Sequence, residues 1–164
     1  MRPAGFLSPL TETHMGYYVT LTNVIIDIPK SDFPRICNHL LDTGFLTDTS
    51  SMNGGSYTDG GKTESWYSWV DMKALARNLN AGDLHAVLEN FGFDVFTDKD
   101  TGAIIDLGYD NKTGNEEELF KAMSPVLPGT TELFWSGECG ARWKWKIAKG
   151  KFKIIDAVTT YPEE

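Results

Sequence analysis

The chain has 164 residues and a mass of 18.3 kDa, with 41% hydrophobic and 12% aromatic residues. This is enough to bury one core without disulfide or metal staples. A formal charge of -8 disfavours general binding to nucleic acid, because the long-range field repels phosphate. No apolar run approaches the roughly 20 residues that a membrane-spanning helix needs.

Residues 1–14 lack the charged start and apolar centre of a secretory signal. They read as an N-terminal extension or cloning remnant, with a natural start at Met15. A single α+β domain is expected over 15–164. Tyr17, Val19 and Leu21 alternate with Tyr18, Thr20 and Thr22 as a strand, and the pattern extends through Val24–Ile28 until Pro29. Ser31 is placed to cap a helix carrying Phe33, Ile36, Cys37, Leu40 and Leu41 on one apolar stripe, with Gly44 as its stop. Thr47–Lys62, rich in Gly, Ser, Thr, Asn and Asp, reads as a long exposed loop.

Ser65–Val70 (SWYSWV) returns to strand character, with Trp66 and Trp69 on opposite faces of a regular strand. Helices follow at Met72–Leu79 and Asp83–Phe91, then a hairpin of Phe93–Thr97 and Ala103–Leu107. Gly108–Gly114 is a loop, and Thr113 or Asn115 is placed to cap a helix over Glu116–Met123. Glu116, Glu117 and Glu118 sit where the macrodipole favours negative charge, which explains the acidic run without a metal. Glu132–Ala157 reads as a three-stranded antiparallel meander. Within it Trp143, Trp145 and Ile147 share one face, and Arg142, Lys144 and Lys146 share the other. Lys149-Gly150 is a tight turn, after which Lys151 and Lys153 alternate with Phe152 and Ile154.

The element order predicts an α+β fold: an antiparallel sheet with helices on one face, ferredoxin-like in outline, ending in the meander. No metal or cofactor is expected. The histidines are His14, His39 and His85, far apart in sequence, and there is no CxxC or HExxH. Asp98, Asp100 and Asp106 surround Gly102, but glycine falls one position early for a calcium loop. Gly61-Lys62-Thr63 imitates the end of a phosphate loop yet leads into a strand pattern rather than a helix. Cys37 reads as a buried hydrophobe and Cys139 as a turn residue. Two cysteines make no disulfide framework, which points to a reducing cytoplasm.

Three groups are candidates for binding. The basic hairpin residues Lys144, Lys146, Lys151 and Lys153 would meet an acidic partner or a phosphate. The acids Glu116, Glu117 and Glu118 would meet a basic partner, and the net charge favours this surface. The aromatics Trp66, Tyr67, Trp69 and Tyr109, with Tyr57, would line a pocket beside the flexible loop.

GYDNKTGNEEELF, with Gly108–Gly114 and Glu118–Phe120, precedes Trp135, Gly137, Glu138, Gly140, Trp143 and Trp145. Together with a basic Gly-Lys hairpin and SWYSWV, this combination resembles small α+β accessory proteins encoded by tailed phages and prophages, over residues 16–157. The resemblance implies no catalytic residue. It implies a non-catalytic protein in the host bacterial cytoplasm that binds and inhibits a bacterial host or defence protein. The competing expectations are a small-ligand binder, such as a sponge for a nucleotide signal, and a hydrolase with dispersed carboxylates.

Overall fold

The computed structural model describes residues 17–161. The expectation that residues 1–14 are an extension falls outside them, as does His14. The described residues form four α-helices and nine strands, an α+β fold. The main sheet has five strands in the order β6-β1-β7-β8-β9, every neighbouring pair antiparallel. These are β1 (Tyr18–Ile25), β6 (Asp110–Lys112), β7 (Thr130–Gly137), β8 (Arg142–Ala148) and β9 (Lys151–Asp156). Two hairpins stand beside it: β2 (Gly55–Asp59) with β3 (Lys62–Trp66), and β4 (Asp94–Thr97) with β5 (Ile104–Gly108).

The expected meander is present as β7-β8-β9. The strand order does not establish a ferredoxin-like outline, which rests on split β-α-β halves. Here three of the five strands are one meander, and β1 enters between β6 and β7. β1 bends at a bulge between Leu21 and Asn23. The chain beyond it then bridges Ile28 to Ile104, exchanging two backbone hydrogen bonds of 3.0 and 2.9 Å, and so ties the β4–β5 hairpin to the sheet.

The helices α1 (Phe33–Asp42), α2 (Met72–Asn80), α3 (Leu84–Asn90) and α4 (Glu116–Met123) form because apolar residues recur at helical spacing, and aspartates hold the starts of α2 and α3. Asp71 accepts hydrogen bonds from the backbone of Lys73 and Ala74, and Asp83 from that of Ala86. Ser31 does not cap α1. Lys30–Asp32 form a 3-10 turn instead, and Asp32 occupies the cap position without a side-chain bond. The α1 C-terminus closes as expected at Gly44, with Phe45 N–H donating to Leu40 O and Gly44 N–H to Leu41 O.

Helical residues Ile36, Cys37, Leu40, Leu75, Leu79, Val87, Leu88, Leu119, Phe120 and Met123 are fully buried. They share one core with the inward side of the sheet, where Leu133, Trp135, Trp143, Trp145 and Ile147 are buried. Phe93, Tyr109, Phe120, Trp135, Trp145 and Phe152 form a connected aromatic cluster in that core, with Trp135 and Trp145 ring centroids 4.8 Å apart.

Thr47–Lys62 is not simply a loop. It holds a 3-10 turn at Thr49–Ser51 and most of the β2–β3 hairpin, whose first strand is exposed throughout. The strand predicted over Ser65–Val70 ends at Trp66. Cross-strand pairing, which overrides local composition, extends the strand backwards and leaves Tyr67–Val70 as a turn.

Candidate partner-binding face

The alternation of β8 and β9 divides the sheet. One side of β8 goes to the core; Arg142, Lys144 and Lys146 stand on the other, joined across β9 by Lys151, Lys153 and Ile155. In β7 the outward positions are Glu132, Phe134 and Ser136, and in β1 they include Ile25, which is half exposed. Lys149 and Gly150 both have positive φ, 54° and 76°, which closes the β8–β9 hairpin in the two-residue turn that matches strand twist.

The hairpin lysines are therefore brought together, as the spacing predicts, but their environments differ. Lys144 Nζ pairs with Glu132 Oε1 at 2.8 Å and lies 5.2 Å from the centre of the Phe134 ring. Lys146 and Lys153 are directly opposed across the strands. Among the described residues neither they nor Lys151 has an ion-pair partner. Like charges placed directly opposite destabilise a sheet, so this pairing is a local cost to folding.

Two shallow cavities lie along this face and share Ile155. One, of about 340 Å³, is bordered by Thr22, Phe134, Arg142, Lys144 and Ala157. The other, of about 330 Å³, is bordered by Lys146, Ala148, Lys149, Lys151 and Lys153. The sequence reading missed Phe134 and Ile155 as members of this face. Their outward parity, opposite to that of Leu133, Trp135 and Ile154, is the signal that finds them.

The other two candidate groups do not form surfaces. Glu116 is buried, and its carboxylate accepts hydrogen bonds from Thr113 Oγ1 and from Gly114 N–H at 2.7 Å. Burial holds its pKa above the ordinary carboxylate range. Neither expected cap engages the α4 backbone: Thr113 binds Glu116, and the Asn115 side chain accepts from Ser68 N–H and donates to Ser51 O. Glu117 is half-buried and pairs with Lys121 at 2.9 Å, and Glu118 is half-buried against a cavity. The three acids turn three ways, because consecutive helical positions lie about 100° apart.

The aromatics likewise separate. Tyr67 is buried, donates to Phe45 O at 2.6 Å and stacks on the Phe45 ring at 4.7 Å. Tyr109 is buried against Trp135 and donates to Lys112 O at 2.5 Å. Trp66 borders a cavity with Met52 and Met72. Trp69 is half exposed at a positive φ of 47° and covers Gly114, where a Cβ would meet the indole at 2.8 Å. Tyr67 and Tyr109 thus serve the core rather than a common ligand pocket.

Cys37 is buried, which pushes its thiol up to about 11. Cys139 is exposed, and its Sγ lies 2.6 Å from the Tyr17 hydroxyl. Among the described residues no group of three or more His, Cys, Asp or Glu is placed to hold a metal ion, and no helix is long and apolar enough to cross a membrane.

Comparison with protein-family models, curated proteins and solved structures finds no match.

Proposed function

We propose that this chain acts by binding, as a non-catalytic accessory protein of phage type, and that the open face of the five-stranded sheet is its contact surface. The partner is an acidic surface of a bacterial host or defence protein, which the chain inhibits by occupying it. The observation that carries this reading is the Lys146–Lys153 pair, opposed without an acid and continuous with Lys151, Ile155 and Phe134. A repulsive pair kept beside apolar side chains suits a surface whose charges are neutralised from outside. This reverses the preference that net charge suggests: the distributed acids govern long-range attraction, whereas contact is made where opposite charges are met.

The test is a pulldown from bacterial lysate with the wild-type chain and a Lys146→Glu/Lys153→Glu variant in parallel. The expected partner is acidic, is retained by the wild type at low salt and is lost by the variant. Retention by both proteins would reject the face. A captured protein whose own activity is unchanged by the chain would reject inhibition.

A further inference from the structure

The β4–β5 hairpin carries the open face of the sheet past β1. β5 leads directly into β6, and both lie along one edge of β1: Lys112 pairs with Tyr18, Leu21 N–H donates to Tyr109 O at 2.9 Å, and Ile28 bridges Ile104. Residues paired across antiparallel strands point to the same side. Ile28 and Ile104 are buried, so their neighbours Asp27 and Ile105 stand outward and are exposed. Phe96 and Asp106, opposed across the hairpin, are exposed as well, and so is Asp94. This end of the face therefore sets Asp27, Asp94 and Asp106 around Ile25, Phe96 and Ile105, three apolar side chains each about half exposed. Among the described residues none of these aspartates has an ion-pair partner.

The far end has the opposite sign, with Lys146, Lys151 and Lys153 beside the half-exposed Ile155. The two ends are in register. Ile25, Glu132, Lys146 and Lys153 are successive cross-strand partners and form one row across the sheet. Asp106 and Phe96 lie beyond Ile25 on the same side.

We infer that this face pairs with the same face of a second copy of the chain, the acidic end of each over the basic end of the other. A two-fold axis lying between two stacked sheets and parallel to their strands reverses the row. Lys153 of each copy then lies over Phe96 of the other, Lys146 over Asp106, and Glu132 over Ile25. Lysines and aspartates that lack counter-ions within one chain find them in the other, and Ile25, Phe96, Ile105 and Ile155 leave water together. Strands about 4.8 Å apart make the face roughly 24 Å wide from β4 to β9, which suits a weak, reversible dimer. The net charge of -8 opposes association at long range, but at about 0.15 M salt that field is screened over about 8 Å while contact pairs persist. The pairing does not rest on the host-protein reading: an acidic host surface would compete with the second copy for the same lysines.

Sedimentation equilibrium of the purified chain alone, at about 0.15 M salt, tests it. A monomer–dimer equilibrium with a Kd below about 200 μM is expected. Lys146→Glu/Lys153→Glu and Asp27→Lys/Asp106→Lys are each expected to weaken self-association at least about tenfold, because each makes the two ends alike in charge. Mixing these two variants is expected to restore a dimer, since the acidic face of one then meets the basic end of the other on both sides of the axis. Asp94→Lys replaces Asp106→Lys should that variant fail to fold, with far-UV circular dichroism as the check. A wild type that stays monomeric to about 500 μM, a dimer indifferent to both charge reversals, or a mixture that associates no better than its components would overturn the pairing. None of these results depends on whether a host protein is captured.

Discussion

Trp145→Ala probes the core that carries the open face. Trp145 is 3% exposed and meets Trp135, Phe120 and Phe152 at centroid distances of 4.8, 5.6 and 5.5 Å. A buried aromatic removes roughly 150–250 Å² from water, which at about 25 cal/mol per Å² bounds its contribution at about 4–6 kcal/mol. Alanine keeps a small part of that area, and the denatured chain already buries some of it. The cavity left behind works the other way, because the three surrounding rings cannot collapse into it without leaving their rotamers. The indole Nε1 has no hydrogen-bond partner, so no hydrogen bond is lost and the effect is packing alone. The expected loss is about 3–5 kcal/mol, a large share of the roughly 5–15 kcal/mol that holds a domain folded. Urea unfolding followed by far-UV circular dichroism measures it, with the slope against denaturant checking that the native state stays compact. Trp69→Ala, at a half-exposed indole, is expected to cost distinctly less. A loss at Trp145 below about 1 kcal/mol, the range of ordinary surface substitutions, would refute the burial argument and with it the assignment of sheet faces.

At Gly137 an added Cβ would overlap the Tyr17 phenol, so Gly137→Ala is expected to destabilise by about 1–3 kcal/mol, and Tyr17→Ala in the same chain to recover part of that loss on thermal unfolding. The buried acids set a pH dependence. Glu116 and Glu118 both have raised folded-state pKa values, so between the ordinary carboxylate range and those raised values the folded state holds more protons than the unfolded one. Their burial penalty is absent below about pH 4 and grows as pH rises through the window, and Glu118→Gln is expected to flatten that fall in melting temperature; a wild-type profile rising with pH there would reject the sign.

Much of this protein is legible in local pattern. The two-residue period of β8 and β9 already separates Trp143, Trp145 and Ile147 from Lys144 and Lys146, because successive side chains in a strand must point to opposite sides. The helical recurrence of Ile36, Cys37 and Leu40 likewise names the buried stripe of α1. Even the Lys149-Gly150 turn follows from composition, since the two-residue turn that matches strand twist needs positive φ at both positions.

Burial of particular polar and aromatic residues is not legible in this way. Glu116 looks like one of three exposed acids, and only the packing of the Thr113–Gly114 segment over the start of α4 encloses it. Tyr67 and Tyr109 look like surface aromatics beside a polar loop. Each is buried because a backbone carbonyl brought to it, Phe45 O for one and Lys112 O for the other, satisfies its hydroxyl. The open face itself depends on distant pairings. β1 enters beside β7 across more than a hundred residues of chain, and Phe134 and Ile155 join the lysines only through the registers of β7, β8 and β9. Local periodicity determines which way a side chain points along its own strand; which strands become neighbours is decided by long-range pairing and core packing, and those exist only in the folded chain.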